Sequence, residues 1–385
     1  MKLRISILTW LASVAGLSSQ ALARDWYVYV DGSGDAPTIQ GAVDQAADGD
    51  RIFVGPGTYE ERVQVTDTSV HLKSLEGAAL TMTQGFSANG DADSVTVTGF
   101  GFRSGDNFGV YTQIAGSFAI TDCTIEDCPG QTTILSSARI ERCTFRGNTG
   151  IGGTLGGGGL EVAVHLGEVA EILDCKFIEN EAGGVPWGPT GGGGGLAIDA
   201  TNEGTARVER CLFYRNRAGS AGGMFAVGNV RVDHCTFVQN EAGDGALFME
   251  VDVTEPTGVF NSIFSENEGF AYIAAGFGNC GCNVFWHNDG TIAESCFLPT
   301  AEWQHFVAPP QFCDEEAEDF RLSESSTLIG PFGDGHRECE GPIGAYPAGC
   351  EVTPVKATSW GDLKRRFGGS SADSVRVGVR PKAQD

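Results

Sequence analysis

Three titratable side chains lie near glycine-rich corners, on strands beside the two longest insertions of the chain: Glu161, His165 and Asp199. Two carboxyl groups about 5–10 Å apart can catalyse glycoside hydrolysis, and a histidine titrates near neutral pH. We therefore take Glu161, His165 and Asp199 as the candidate catalytic residues. Glu250 follows a later corner of the same kind, and the ring of Trp187 in the second insertion could stack on a sugar. These two are the candidate binding residues.

Acidic residues elsewhere could collect a calcium ion. They are grouped in two places, at residues 314–319 and at Asp31, Asp35, Asp48 and Asp50. Neither group has the regular ligand spacing of a calcium loop. We therefore expect solvated surface there, and Ca²⁺ is the one cofactor that the sequence leaves open.

The charge of the chain restricts its partners. Acidic residues outnumber basic ones by 50 to 25, so the formal net charge is −25. Such a chain repels nucleic acid and anionic membranes, and we expect neither as a partner. It also repels a polyuronate unless Ca²⁺ bridges the two. A polysaccharide or a surface protein is the expected partner.

A short motif recurs through the chain and must position these side chains. Its best copies are IERCTFRGN (140–148), ILDCKFIEN (172–180), VERCLFYRN (208–216), VDHCTFVQN (232–240) and VFNSIFSEN (259–267). Steps between copies are irregular, so loops are inserted into coils of otherwise constant length. The motif alternates with the period of a β-strand, and glycine pairs precede several further apolar strands.

This pattern predicts an all-β fold, a single-stranded right-handed parallel β-helix. A β-propeller is the alternative, but its blades need about 40 residues each. The β-helix would stack phenylalanines inside and align side-chain amides at a turn. The predicted columns are Phe145, Phe177, Phe213, Phe237, Phe264 and Phe285, and Asn148, Asn180, Asn216, Asn240, Asn267 and Asn288.

The cysteines divide into an interior column and a closing group. The column position is held by Leu75, Phe100, Cys123, Cys143, Cys175, Cys211, Cys235, Ser262 and Asn283. Side chains that point the same way on stacked coils are poorly placed for disulfides, so we expect free buried thiols there. We predict a disulfide between Cys339 and Cys350, and one or two more among Cys280, Cys282, Cys296 and Cys313.

Charged residues precede the cysteine position in successive coils. They form a column of mostly alternating sign, which relieves repulsion between neighbouring strands. Its members are Asp122, Arg142, Asp174, Arg210 and His234. This column explains the sequence VDHC at 232–235 better than a catalytic Asp–His pair does.

The two ends of the chain are expected to differ from the β-helix at 24–350. Residues 1–23 have the charged start, apolar run and small-residue cleavage site of a signal peptide. Residues 38–47 carry a helical apolar stripe that would cap the solenoid. Residues 351–385 are predicted to be a linker and a basic amphipathic tail. We expect no membrane span in the mature chain, which would be secreted, associated with the outer envelope or periplasmic.

Three segments carry a family resemblance. The sequences DGSGDAPTIQGAVDQA (31–46) and GDRIFVGPGTY (49–59) resemble the opening of pectin-lyase-like β-helix proteins. The FxxN and Gly-Gly-apolar repeats resemble those of polymorphic outer-membrane proteins, and the segment from FRL (320–322) to GPIGA (341–345) resembles a closing coil. GTYEE (57–61) is similar to the first motif of pectin methylesterases, whose later motifs with the catalytic aspartates have no counterpart here.

The residues and the resemblance lead to two hypotheses of function. The first is an exported cell-surface or envelope β-helix that binds glycans or proteins, or has a structural role, without catalysis. The alternative is a carbohydrate-active enzyme, a polysaccharide lyase or a glycoside hydrolase, with its cleft beside the insertions in residues 149–195.

Overall fold

The structure is a computed structural model that describes residues 22–105, 108–151, 155–183, 192–250, 257–275, 278–290, 296–297, 305–330, 339 and 341–350. In this part of the chain nearly all regular structure is β-strand, and the strands wind into a right-handed parallel β-helix. The predicted fold class is confirmed in this respect. Residues 1–21 of the proposed signal peptide and the tail at 351–385 lie outside the described residues.

One wall of the solenoid is a parallel sheet with one strand from each coil. Burial alternates along these strands, so aliphatic side chains point inward and polar ones outward. The strands of this first wall are β1 (Asp25–Val28), β2 (Asp50–Val54), β4 (Val70–Ser74), β6 (Ser94–Thr98), β9 (Ser117–Thr121), β12 (Ser137–Glu141), β16 (Val169–Leu173), β20 (Thr205–Glu209), β23 (Val230–Asp233), β26 (Gly258–Phe260), β29 (Gly278–Gly281) and β31 (Cys296–Phe297).

The second sheet turns at the asparagine position and so supplies two walls. Strands β3 (Gly57–Thr66) and β5 (Thr81–Gly90) run through both walls. The second wall continues with β7 (Gly101–Phe102), β10 (Thr124–Glu126), β13 (Thr144–Arg146), β17 (Lys176–Ile178), β21 (Leu212–Tyr214), β24 (Thr236–Val238), β27 (Ile263–Ser265) and β30 (Val284–Trp286). The third wall continues with β8 (Val110–Ile114), β11 (Thr133–Ile134), β15 (Leu160–Ala163), β19 (Leu196–Ala200), β22 (Ala221–Gly228), β25 (Glu241–Glu250) and β28 (Glu268–Ala275).

The remaining elements are short. Strands β14 (Thr149–Ile151) and β18 (Glu181–Gly183) pair in parallel beside the asparagine turn, and β32 (Phe312–Asp314) pairs antiparallel with β33 (Asp319–Leu322). A 3₁₀ turn spans Thr327–Ile329.

The one α-helix of the described residues, α1 (Ile39–Val43), is shorter than the predicted stripe at 38–47. Thr38 caps it by accepting a hydrogen bond from the Gly41 amide at 2.9 Å.

The predicted phenylalanine column is confirmed as an interior stack. Neighbouring rings from Phe145 to Phe285 lie 4.5–5.3 Å apart and within 11° of parallel. Strand register imposes this geometry, because each phenylalanine pairs with the next across the parallel ladder. The rings therefore form a continuous column through the core.

The asparagine column forms a buried ladder. Each side-chain amide donates to the Oδ1 of the next asparagine at 2.9–3.0 Å, and to a backbone carbonyl of an earlier coil. Each Oδ1 also accepts the backbone N–H of the preceding asparagine. A residue with positive φ, such as Glu179 at 55°, comes just before the asparagine and turns the chain. The ladder thus satisfies the backbone at a buried corner.

In most coils the first corner uses the same backbone conformation without glycine, although Gly99 occupies it before Phe100. Seven residues with φ between 48° and 57° lie there, just before the cysteine position: Asp122, Arg142, Asp174, Arg210, His234, Asn261 and Cys282. Their side chains point outward, and Arg142 and Arg210 each form a two-atom ion pair, with Asp122 and Asp174 respectively. The predicted alternating charge column is confirmed for these pairs.

The cysteine column lies in the core as predicted. Cys123, Cys143, Cys175, Cys211 and Cys235 are buried and free. Leu75 is an exception to the proposed column, since it is 44% exposed and Ser74 is buried in its place. The side chain at 74 points inward because Ser74 pairs with Val54 of the first wall.

A C-terminal clasp, here residues 305–330, 339 and 341–350, covers the outward face of the second wall. Ile178, Leu212 and Tyr214 of this wall are buried against Phe320, and Ile263 and Val284 against Leu322 and Ile343. The alternation of apolar and polar side chains therefore breaks down on the second wall, where both faces are buried.

Disulfides fasten the clasp, with pairings that differ from the prediction. Cys282 pairs with Cys339, and Cys313 pairs with Cys350. The predicted Cys339–Cys350 disulfide is wrong, because each of these cysteines is bonded instead to the solenoid or to β32. Cys280 is also disulfide-bonded.

Candidate functional site

The third wall carries a row of uncharged polar side chains on its outer face in its N-terminal half, and all of them except the buried Ser87 are at least partly exposed. Gln64, Ser87, Tyr111 and Thr133 pair in register from coil to coil, and the row ends at Glu161. Beside it, Thr66, Asn89 and Gln113 form a second row. We call these two rows, without Glu161, the polar strip. Parallel register places successive members about 4.8 Å apart.

An aromatic pair stands in the middle of the polar strip. The half-buried rings of Tyr111 and Phe108 are 5.7 Å apart at 53°. Arg62 lies over Phe108 at 4.3 Å and donates to its carbonyl oxygen at 3.0 Å. The Tyr111 hydroxyl donates to Oε1 of Gln113 at 3.2 Å. The strip thus combines an aromatic surface with groups that both donate and accept hydrogen bonds.

Two of the candidate catalytic acids lie near one another at the end of the strip. Asp199 pairs with Ala163, two residues beyond Glu161 on the same face. This offset corresponds to about 6.6 Å along the strand and about 4.8 Å across it, so the two Cα atoms lie about 8 Å apart. Glu161 is only 3% exposed and accepts a hydrogen bond from Nε2 of Gln131.

The third candidate, His165, reaches Asp199 through a hydroxyl group. Thr201 donates from Oγ1 to Oδ1 of Asp199 at 2.7 Å, and the same Oγ1 lies 3.5 Å from Nδ1 of His165. The Thr201 amide also donates to Asp199, at 3.1 Å. The His165 backbone is fixed by a hydrogen bond of 2.8 Å to the Glu168 carboxylate. The sequence did not single out Thr201 or Glu168, because the turn that brings them here is not repeated.

The candidate binding residues are separate from this cluster. Glu250 is exposed in the column of Asp199, two coils further on, with Val227 between them. Trp187 lies outside the described residues. Phe225 and Phe248 stack at 5.3 Å on the same outer face, in the neighbouring column that begins at Glu161. These two rings add an apolar surface to the C-terminal half of the third wall.

Two of the acidic side chains considered as calcium ligands accept hydrogen bonds from other groups of the protein. Asp50 accepts hydrogen bonds from the amides of Arg24 and Ala47 and from the Trp26 indole, at 2.7–3.0 Å. Burial alone would raise the pKa of Asp50, but these hydrogen bonds lower it. Asp31 accepts from the hydroxyl and the amide of Ser33. Among the described residues no group of three or more His, Cys, Asp and Glu side chains is arranged to hold a metal ion.

The Asp233–His234 pair proves to be part of the outer charge column. Nδ1 of His234 lies 2.8 Å from Oδ1 of Asp233, which also accepts from Asn261, while Arg231 donates to Oδ2 at 2.6 Å. Burial alone would raise the pKa of Asp233, but these three partners lower it to about 2. The carboxylate is therefore a structural anion rather than a proton acceptor at neutral pH.

Comparisons with known proteins agree with this architecture. The family model of the right-handed β-helix region matches residues 62–192. The solved structure of pectate lyase Pel9A superposes with a TM-score of 0.50 at 15% identity, covering 85% of this chain and 97% of that one. A mannuronic-acid-specific polysaccharide family 6 lyase from the human gut microbiota reaches a TM-score of 0.37 at 14% identity, covering 71% and 83%. A search of the curated proteins found no match.

The described residues thus form a right-handed β-helix whose fold is similar to that of the pectate lyase, and the β-helix family model matches residues 62–192 of the chain. At 15% identity the pectate lyase shows the fold alone. In the part of the chain that the structure covers, no helix is long and apolar enough to cross a membrane.

Proposed function

We propose that the chain is an exported, non-catalytic glycan-binding protein that holds an uncharged stretch of polysaccharide along the polar strip. The observation that carries the proposal is the in-register row of amides and hydroxyls around Tyr111, on a chain whose net charge is −25. A neutral sugar chain has many hydroxyl groups and few charges, so it matches such a surface and is not repelled by the protein.

The geometry of the polar strip suits an extended ligand. Its members recur at the coil spacing of about 4.8 Å, so successive sugar rings would meet equivalent groups. Tyr111 and Phe108 supply the aromatic face on which a pyranose ring can stack. The fold is also used by a pectate lyase, which is consistent with a polysaccharide partner.

Two features favour binding over catalysis. Glu161 is buried and accepts a hydrogen bond from Gln131, so its carboxylate is not presented to solvent. Oδ1 of Asp199 accepts two hydrogen bonds from Thr201. A general acid or nucleophile needs direct access to the glycosidic bond.

Retention of the mature chain on immobilised neutral and acidic polysaccharides tests the proposal. We expect retention on at least one neutral glycan and a loss of at least tenfold in affinity on replacing Tyr111→Ala. Tyr29→Ala is the matched control, because Tyr29 is also partly exposed but lies outside the strip, and we expect it to bind normally. Retention that Tyr111→Ala leaves unchanged would refute the role of the strip.

A glycoside hydrolase or polysaccharide lyase is the second candidate, favoured by the chain Asp199–Thr201–His165 and by the separation of Glu161 and Asp199. The same glycans are incubated with the protein, with and without Ca²⁺, while unsaturated uronides and new reducing ends are followed. Product formed by the parent chain, lost in Glu161→Gln and Asp199→Asn and kept in a control variant of the exposed Glu76, Glu76→Gln, would establish the enzyme and overturn our first proposal.

We also propose how the chain is processed and what role each of its two ends has. Residues 1–23 would direct export and be removed, after which the chain would be secreted or held at the outer envelope or in the periplasm. Helix α1 would cap the first coil, since Ile39, Ala42 and Val43 are buried against it. Residues 351–385 would be a linker and a docking tail. The disulfides of the clasp fit an oxidising compartment. Mass measurement of the exported protein tests cleavage before Arg24.

A further inference from the structure

A buried carboxylate lies directly beside the point at which the signal peptide is proposed to be cut. The backbone nitrogen of Arg24 donates a hydrogen bond of 2.7 Å to Oδ1 of Asp50. Asp50 is only 4% exposed, and its Oδ2 accepts from the Trp26 indole at 2.9 Å and from the Ala47 amide at 3.0 Å. The carboxylate therefore joins β1, the turn before β2 and the residue at which the mature chain would begin.

Arg24 is also the residue at which the chain joins the solenoid. Its carbonyl oxygen accepts an amide of β2 at 2.9 Å, just before the β1–β2 ladder. Its guanidinium group lies 3.2 Å from Asp35 and 3.6 Å from the centre of the Trp26 ring. The two residues before it, Leu22 and Ala23, are exposed, Leu22 to 94%. The peptide bond between Ala23 and Arg24 thus lies at the boundary between exposed chain and folded chain.

Cleavage of this bond would change the donor to Asp50 from a neutral amide to a cation. Hydrolysis consumes one water molecule and breaks the C–N bond. The oxygen of the water leaves with Ala23 as a carboxylate, and the nitrogen of Arg24 takes up protons to become an α-ammonium group at neutral pH. A charge-assisted hydrogen bond of this kind is about twice as strong as one from a neutral donor.

Asp50 is ionised and can receive this cation. Burial alone would raise the pKa of its carboxyl group, but the hydrogen bonds from Trp26, Ala47 and Arg24, together with the Arg24 guanidinium, lower it. The guanidinium is itself bonded to Asp35. An α-ammonium group would therefore add a second cation beside Asp50, in direct hydrogen-bond contact.

We propose that Asp50 is the binding site of the mature amino terminus, and that removal of residues 1–23 creates a partly buried ion pair between Asp50 and the α-ammonium group of Arg24. The inference rests on the cleavage before Arg24 that is proposed above. The precursor makes the same contact with a neutral amide, so its first coil is held less firmly. Processing thus completes the end of the solenoid at which β1, β2 and α1 pack together.

Two chains that differ by one residue test the ion pair. One begins at Arg24 and the other at Ala23, each released from a cleavable fusion partner and oxidised to form its disulfides. Both carry one α-ammonium group and the same net charge, but in the second chain an amide again faces Asp50. We expect amide hydrogen exchange in β1 and β2 to be at least tenfold slower in the chain that begins at Arg24. Equal exchange rates in the two chains would overturn the proposal.

Two substitutions assign the difference to Asp50. Asp50→Asn should reduce the difference in exchange rate between the two chains to less than twofold. Asp35→Asn is the matched control, because the Asp35 carboxylate also contacts Arg24 but does so through the guanidinium, and the tenfold difference should remain. A difference that survives Asp50→Asn, or that disappears in Asp35→Asn, would show that the amino terminus is not bound by Asp50.

A further measurement needs no substitution. The pKa of the α-amino group follows from the pH dependence of its reaction with trace acetic anhydride, read by mass spectrometry of the N-terminal peptide. The charged groups on the elements around it are Asp50 and Arg51 of β2, Asp25 of β1, Asp35, Asp48 and the Arg24 guanidinium. We expect the contact with Asp50 to raise this pKa in the chain that begins at Arg24, relative to the chain that begins at Ala23.

The sign of the pH dependence follows from this raised pKa. The stabilisation should be complete below the pKa of the unfolded amino terminus, about 7.7–8.0, and be lost as the pH rises through the folded value. An equal or lower pKa in the chain that begins at Arg24 would refute the ion pair.

The first residue of the exported protein separates this inference from the proposed processing. Mass spectrometry that finds Arg24 there supports both. Any other first residue overturns the proposed cleavage, and with it the role of Asp50 in the exported protein, even if the two purified chains differ as expected.

Discussion

Replacing Asn216 by alanine removes one rung from the middle of the asparagine ladder. Its fully buried side chain donates to the Phe177 carbonyl at 2.9 Å and to Oδ1 of Asn240 at 3.0 Å. Its own Oδ1 accepts from the backbone and side-chain amides of Asn180, at 3.0 and 2.9 Å. The substitution therefore removes four hydrogen bonds and leaves the buried backbone N–H of Asn180 without this acceptor.

The expected loss of stability follows from these contacts. An unsatisfied buried N–H costs about 1–3 kcal/mol, and three further hydrogen bonds contribute about 1 kcal/mol each. We expect Asn216→Ala to lower the free energy of unfolding by about 4–6 kcal/mol. The measurement is urea denaturation with the disulfides intact, followed by far-ultraviolet circular dichroism and by tryptophan fluorescence.

Two further asparagines calibrate the result. Asn288 ends the ladder and is half-exposed, so water can replace part of its bonding, and Asn288→Ala should cost less than Asn216→Ala. Asn89 is on the outer face of β5, and Asn89→Ala should change stability by about 0.5 kcal/mol or less. A loss below about 1 kcal/mol for Asn216→Ala would show that the ladder follows from the coil geometry and does not stabilise it.

Three other predictions concern charge, disulfides and thiols. The pKa of Asp233 falls from 3.8 to about 2 on folding, so the contribution of this carboxylate to stability is complete above about pH 4 and is lost as the pH falls through 2. In denaturant unfolding, Asp233→Asn should be about 2 kcal/mol less stable than the parent at pH 6 and nearly equal to it at pH 2. A double serine substitution that removes the Cys313–Cys350 bond, which spans 37 residues, should destabilise the clasp by about 4 kcal/mol. The measurements are the calorimetric midpoint, which should fall, and the rate of proteolysis in residues 305–350, which should rise. The six free thiols among the described residues should not react with an aromatic disulfide reagent in the native protein and should react in urea. Burial shields these thiols and raises the pKa of thiols such as that of Cys211. Rapid labelling of the native protein would contradict the interior column.

The sequence predicted the fold because the fold repeats. Each copy of the motif places an aliphatic residue, a phenylalanine and an asparagine at fixed offsets. Strand register then stacks the equivalent residues of neighbouring coils on one another. The non-glycine corners with positive φ were not predicted. Asp122, Arg142 and their equivalents carry ordinary charged side chains, and nothing in one copy of the motif indicates a left-handed backbone.

The candidate sites were less predictable, because they depend on residues that do not repeat. His165 and Asp199 are brought together by Thr201, which lies in a turn of irregular sequence. The clasp covers the second wall through contacts that span as many as 172 residues of sequence. Pairing of Cys339 could not be read from sequence for the same reason, since spacing alone does not show which coil a distant segment covers.

The clasp also changes how the solenoid can come apart. In a solenoid each coil touches only its neighbours, so its coils can in principle melt one after another from an end. Here the Arg146–Glu318 ion pair, the hydrogen bond from Ala345 to Thr236 and the Cys282–Cys339 bond connect coils that are not neighbours to one outer segment. The coils between residues 144 and 286 should therefore unfold as one cooperative block, while those before residue 122 fray in sequence. We therefore expect the protein to open from the end that carries α1.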